Sequence, residues 1–169
     1  MSQPVPPPGN PFAEGATSAE SAAPGPYPAT PPPAPARENL ALGLVAAFVA
    51  ALVAGGVYGA VIGGIEREIG WAAVGVGFLV GLAAGKVGGR NPILPVVSAA
   101  LALGAVYFGQ LLGMAIIAGK QLNASAADLI FQEFGALTSA WNEGKDPLTF
   151  LFLGIAAFAA FSGARKAAA

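Results

Sequence analysis

Two residue types that carry much of protein chemistry are missing from this 169-residue chain, which has no cysteine and no histidine. The first absence excludes disulfides, thiolate metal sites and cysteine nucleophiles. The second removes the commonest general base and metal ligand. We therefore predict that the chain is not an enzyme and that it has no catalytic residues, no metal site and no cofactor.

Charge is also scarce, because Asp, Glu, Lys and Arg make up 10% of the chain, against about 25% in soluble domains. Hydrophobic residues make up 55%. This balance indicates that much of the surface faces the lipid bilayer, which we take as the first partner. A net charge of −1 offers no basic surface, so nucleic acid is not expected as a partner.

Residues 1–36 differ in composition from the rest, because they hold 12 of the 15 prolines. Such a segment buries too little apolar surface to fold, and we predict a disordered Pro/Ala-rich tail. It lacks the basic and apolar regions of a secretory signal peptide. The tail is either a solvated tether or a docking segment for a cytoplasmic partner that binds proline-rich sequences.

Four apolar segments follow the tail, and a helix crosses a bilayer core with about 20 apolar residues. We predict an all-α membrane domain over 37–166 with four transmembrane helices. Asn39 and Asp146 stand where N-caps are expected. A soluble helical bundle is disfavoured, because soluble helices keep a polar face. The predicted spans are 40–65, 69–87, 91–118 and 147–162.

The Lys and Arg residues beside the spans predict the orientation, because cytoplasmic loops carry an excess of them. On the side of the termini there are five, Arg37, Lys86, Arg90, Arg165 and Lys166, and on the other side three, Arg67, Lys120 and Lys145. We therefore predict a multi-pass protein of the cell membrane with both termini in the cytoplasm.

Glycines recur every four residues within three of the spans, so that they share one face of each helix. Small residues there let two helix backbones approach closely within a membrane. The faces can pack within one chain or between chains, and the sequence leaves both open. We predict helix packing through Gly55, Gly59, Gly63, Gly77, Gly81, Gly85, Gly109 and Gly113.

The connection at 119–146 contains apolar residues at helical spacing, namely Ile130, Phe134, Leu137 and Trp141. We predict an extracytoplasmic amphipathic helix over 126–141 that lies in the interface or caps the bundle. The alternative is a lid or partner-binding element. Phe134 and Trp141 are then docking candidates.

Two further polar features are candidates for a role in function. Gln110 is the one strongly polar side chain deep in a predicted span, where a hydrogen bond to a neighbouring helix or a place in a permeation path would account for it. Glu66, Arg67 and Glu68 form a charged cluster in the first hairpin. That cluster is either a solvated loop or an external docking point.

The stretch from Glu68 to Gly81 reads Glu-Ile-Gly-Trp and later Gly-Phe-Leu-Val-Gly. It resembles a segment of uncharacterised small bacterial polytopic membrane proteins. The resemblance implies a bacterial four-helix membrane protein and no particular activity.

Together these features favour a non-enzymatic membrane scaffold, accessory subunit or assembly factor. The alternative is a small oligomeric channel or transporter, and a membrane enzyme is the least favoured class. A homo-oligomer or a larger membrane complex is expected in either of the first two cases.

Overall fold

The computed structural model describes residues 38–169, so the predicted disordered tail lies outside the described residues. The described part is helical and contains no strand, which confirms the prediction of an all-α fold. Its six helices are α1 (Leu40–Ile65), α2 (Gly70–Gly88), α3 (Ile93–Leu122), α4 (Ala126–Gln132), α5 (Phe134–Gly144) and α6 (Pro147–Ala167).

Two of the helices begin at the caps that the sequence predicts. The Asn39 side chain accepts a hydrogen bond from the backbone N–H of Leu42 at 3.1 Å, at the start of α1. Asp146 and Thr149 form a reciprocal capping box at the start of α6, with Pro147 as its first residue. Each cap satisfies first-turn amides that have no partner inside the helix.

Four helices, α1, α2, α3 and α6, are long and apolar enough to cross a membrane. They fit a multi-pass membrane protein, because their outer sides present large apolar side chains without polar cover. On α1 alone, at least half-exposed apolar residues include Leu42, Val45, Phe48, Val49, Leu52, Val53 and Val57.

The third and fourth long helices end later than predicted, at Leu122 and Ala167 instead of 118 and 162. The predicted ends lie two and three residues before the first charged residues, Lys120 and Arg165. The helices continue through them, and Lys120, Arg165 and Lys166 lie in the last turns. Cations there interact favourably with the negative end of the helix dipole.

The four long helices pack with α2 and α3 at the centre. These two contact each other, and α1 and α6 each contact both of them, while α1 and α6 do not touch within the described part of the chain. The core is built from small residues, with Ala47, Ala102, Ala156 and Ala160 fully buried. Small side chains bring helix backbones together where lipid gives no hydrophobic drive for association.

The predicted amphipathic helix at 126–141 is instead two short helices, α4 and α5, divided at Glu133. Glu133 has φ −116° and ψ 27°, which interrupts the helix. Leu137 is buried and packs in one cluster with Leu111 and Ala115 of α3, whereas Phe134 is half-exposed. Ile130 and Trp141 pack against the same cluster, so three of the four predicted apolar residues face α3 and Phe134 does not.

Candidate functional site

The glycines of α2 are in backbone contact with α6. A Cβ atom at Gly77 or Gly81 would overlap the carbonyl oxygen of Ala156 or Ala160, and one at Gly85 would overlap that of Ala164. Glycine is therefore the one residue that these positions accept without a shift of the helices. The alanines opposite lie on a single buried face of α6.

The glycines of α1 and α3 face each other in the same way. A Cβ atom at Gly55 would lie 2.7 Å from the carbonyl oxygen of Ala105, and one at Gly59 would lie 2.7 Å from that of Gly109. Side chains of the opposite helix crowd the remaining positions, Gly63, Gly109 and Gly113. All eight predicted packing glycines thus lie at contacts between helices of one chain.

Gln110 is the centre of a polar network at the end of the bundle where α1 ends and α6 begins. Its side chain is 5% exposed. The amide nitrogen donates to the Glu68 carboxylate, and the amide oxygen accepts from the Trp141 indole N–H at 2.8 Å. Gln110 therefore joins α3 to the α1–α2 hairpin and to α5, and its partners lie outside the long helices.

Lys120 ties the end of α1 and Glu66 to α3. Its ammonium donates to the carbonyl oxygen of Gly63 at 2.8 Å and lies 3.3 Å from the Glu66 carboxylate. The Gly63 carbonyl belongs to the last turn of α1, where intrahelical donors run out. Both charged side chains are about half-exposed, so the ion pair stabilises the hairpin only slightly.

Trp141 is held by aromatic and cationic neighbours as well as by Gln110. The Tyr107 ring meets it at 88° with centroids 4.9 Å apart, and the Lys145 ammonium lies 5.4 Å from the centroid. Edge-to-face pairs and cations over indole faces are both attractive. The α5 helix is therefore fixed to α3 at its C-terminal half.

A cavity of about 190 Å³ lies beside this network. Both polar and apolar side chains line it. The polar lining comes from Glu66, Arg67, Glu68, Gln110, Trp141, Lys145 and Thr149, and the apolar lining includes Ile62, Met114 and Ile117.

The structure thus brings most of the predicted polar candidates together. Glu66, Arg67, Glu68, Gln110 and Trp141 line one cavity, while Phe134 does not. Sequence reasoning missed Lys120, Lys145 and Thr149 as members of this site. The positions of Lys120 and Lys145 could have been anticipated, because four spans place both lysines on the same side of the membrane as Arg67.

Two buried hydroxyls in the long helices, Tyr58 Oη and Ser98 Oγ, have no hydrogen-bond partner among the described residues. Tyr58 packs its ring against Gly109, one residue before Gln110. Burying an unpaired hydroxyl carries a free-energy cost. An unpaired hydroxyl, that of Tyr58, therefore lies next to the Gln110 network.

Within residues 38–169 no group of three or more acidic side chains is placed to hold a metal ion. The absence of a metal site, a cofactor and catalytic residues stays a prediction.

Comparison of the chain with protein-family models, with curated proteins and with solved structures finds no match. The similarity of the Glu68–Gly81 stretch to small bacterial membrane proteins therefore stays a prediction.

Proposed function

We propose that the chain is a non-enzymatic scaffold, accessory subunit or assembly factor of the cell membrane. One observation carries the proposal: backbone-to-backbone glycine contacts join α2 to α6 and α1 to α3. Closely packed helix pairs resist deformation. A rigid bundle with apolar sides is suited to hold partner helices, and it is poorly suited to open and close around a solute.

The alternative is a small oligomeric channel or transporter, in which the path would run between copies. One feature favours copies in contact. Gly56 and Gly64 of α1 have no atom within 4 Å of the place of a Cβ, and Ala60 between them is exposed. This second small face of α1 is free of contacts within residues 38–169.

Purification in mild detergent separates the two functions. For the scaffold we expect stoichiometric recovery with a larger complex and no solute flux after reconstitution into liposomes. A stable homo-oligomer without companions, together with ion or solute flux, would overturn it. Gly56→Ile and Gly104→Ile are matched variants, because both sites are uncovered, and loss of a homo-oligomer in Gly56→Ile alone would place a contact between copies on α1.

The orientation with both termini in the cytoplasm is part of the proposal and rests on the Lys and Arg distribution. The chain has no cysteine, so single cysteines can be introduced and labelled. Ser139 and Ala169 are both exposed. In intact cells a membrane-impermeant maleimide should label Ser139→Cys, and Ala169→Cys should react only after lysis. The reverse pattern would contradict this orientation.

The Pro/Ala-rich tail, residues 1–36, is proposed as a tether or as the site of a cytoplasmic partner. Deleting it tests the second role. Loss of a co-purifying chain on deletion would support a partner, and unchanged recovery of the complex would leave a tether.

A further inference from the structure

The cavity beside Gln110 lies at the level of one membrane surface. Trp71, the second residue of α2 and three residues after Glu68, is 73% exposed. Exposed tryptophans at the ends of membrane helices lie at the height of the lipid headgroups. Ile65 and Ile69, on either side of the charged hairpin, are also exposed. The cavity therefore opens where headgroups of the surrounding bilayer are found.

The charged side chains around the cavity differ in whether they already have an ion-pair or hydrogen-bond partner. Glu66 is engaged by Lys120. Glu68 uses one carboxylate oxygen for Gln110, and its second oxygen has no hydrogen bond among the described residues. Arg67 has no ion pair within residues 38–169. The cavity thus offers one carboxylate oxygen as an acceptor and one free guanidinium as a donor.

Lys145 adds a second cation at the same cavity. Its ammonium is placed by Trp141 and by a hydrogen bond to the Asn142 side chain. A ligand that satisfies this arrangement carries a cation for Glu68 and an anion for Arg67 and Lys145. A phosphate fits a guanidinium, because its oxygens accept two parallel hydrogen bonds, and it is the anion that bilayer headgroups carry at this level.

The cation is better matched by a primary than by a quaternary ammonium. Quaternary ammonium groups are held by free aromatic faces, but the Trp141 ring already contacts Tyr107 and Lys145. A primary ammonium instead donates hydrogen bonds, and the free oxygen of Glu68 can accept one. The cavity volume of about 190 Å³ equals the share of about six water molecules. That space suits a lipid headgroup.

We infer that this cavity binds a zwitterion that joins a primary ammonium to a phosphate, with the ammonium on Glu68 and the phosphate on Arg67 and Lys145. The headgroup of phosphatidylethanolamine has this chemistry, and so does free phosphoethanolamine. Gln110 acts as a positioning residue, because it orients the Glu68 carboxylate. The binding is independent of whether the chain is a scaffold or a channel.

The test is native mass spectrometry of the purified full chain with equal amounts of phosphatidylethanolamine, phosphatidylcholine and phosphatidylglycerol. We expect preferential retention of phosphatidylethanolamine. Glu68→Gln should weaken that retention about tenfold, the effect of one charge-assisted hydrogen bond, and Arg67→Gln should weaken it similarly. Glu68→Gln keeps an oxygen for Gln110, so it should fold, and circular dichroism checks this.

Matched controls are Glu143→Gln and Arg165→Gln, which change exposed residues that do not line the cavity. They should retain the lipid as the unaltered chain does. Displacement of the lipid by free phosphoethanolamine would identify the soluble compound as the ligand, and lack of displacement would identify the lipid. Equal retention of phosphatidylcholine, preference for phosphatidylglycerol, or unchanged binding in Glu68→Gln would overturn the inference.

Discussion

Gly81 of α2 lies so close to Ala160 of α6 that a Cβ atom at position 81 would overlap the Ala160 carbonyl oxygen. Gly81→Ala should therefore push α2 and α6 apart. Overpacking of a well-packed core costs about 1–3 kcal/mol, and here the obstacle is backbone, so we expect the upper end. Unfolding of the purified protein in mixed micelles measures the change.

The same helix offers a matched control in Gly75→Ala. Gly75 has no atom within 4 Å of the place of a Cβ, and alanine is the better helix former by about 1 kcal/mol. This variant should be as stable as the unaltered chain or slightly more stable. Equal destabilisation by both variants would show that α2 and α6 do not pack as described.

Trp141→Phe keeps an aromatic ring beside Tyr107 but removes the indole N–H that Gln110 accepts. Because Gln110 is almost fully buried, its amide oxygen is then unpaired, which costs about 1–3 kcal/mol. The loss should fall mainly on the docking of α5. Hydrogen exchange of the α5 amides, followed by mass spectrometry, should become faster while exchange in α1 and α2 is unchanged.

Trp71→Phe is the control for the same substitution. Trp71 is 73% exposed and pairs with Phe152 through its ring, with centroids 5.5 Å apart. Phenylalanine retains that pairing, and α5 exchange should stay as in the unaltered chain. Faster exchange in both variants would argue against the Trp141–Gln110 hydrogen bond as the cause.

Asp146 predicts a pH dependence of stability at the start of α6. Hydrogen bonds from the Thr149 backbone and side chain hold the pKa of Asp146 below its ordinary value of 3.8. A lowered pKa in the folded chain means that the carboxylate stabilises the fold above pH 3.8. This contribution is lost as the pH falls through the lowered pKa. Unfolding measured across this range should show the loss.

Asp146→Asn should lack this component of the acid transition, because its side chain does not titrate. Asp128→Asn, in the first turn of α4, is the control and should keep it. An acid transition that is the same in all three proteins would contradict a role for Asp146.

Glu66 ends α1 in the left-handed backbone region, with φ 57° and ψ 31°. That conformation costs an L-residue about 1–2 kcal/mol, and glycine avoids the cost. Glu66→Gly and Glu66→Ala both remove the exposed contact with Lys120. Their difference therefore isolates the backbone, and we expect Glu66→Gly to be more stable by about 1 kcal/mol. An equal free energy of unfolding for the two variants would contradict the left-handed assignment.

The long helices could be predicted because their signals are local. An N-cap such as Asn39 acts on the next turn of the helix. An uninterrupted apolar run indicates both the approximate length of a helix and its apolar surroundings. The glycine spacing indicated small helix faces but not which of them pack, because Gly56 and Gly64 have the same spacing as the packed glycines of α1 and are uncovered. The sequence does not show which helix packs against each glycine face, because Gly81 and Ala160 lie 79 positions apart and several faces of small residues are available.

The Gln110 network could be predicted only in part. That a buried amide needs partners follows from its chemistry, but the partners Glu68 and Trp141 are 42 and 31 residues away. The break at Glu133 was also missed. Gly135 lies two residues after it, but a single glycine inside a helical pattern does not by itself locate a break.

The arrangement of α2 against α6 has a consequence for the order in which the chain matures. The glycine face of α2 is complete when residue 88 has been made, but the alanines that cover it begin at Ala156. At about 5–20 residues per second, ribosomes need several seconds to add the intervening segment. During that time α2 presents an uncovered small-residue face to the lipid, and any insertion factor or neighbouring helix that occupies it competes with α6.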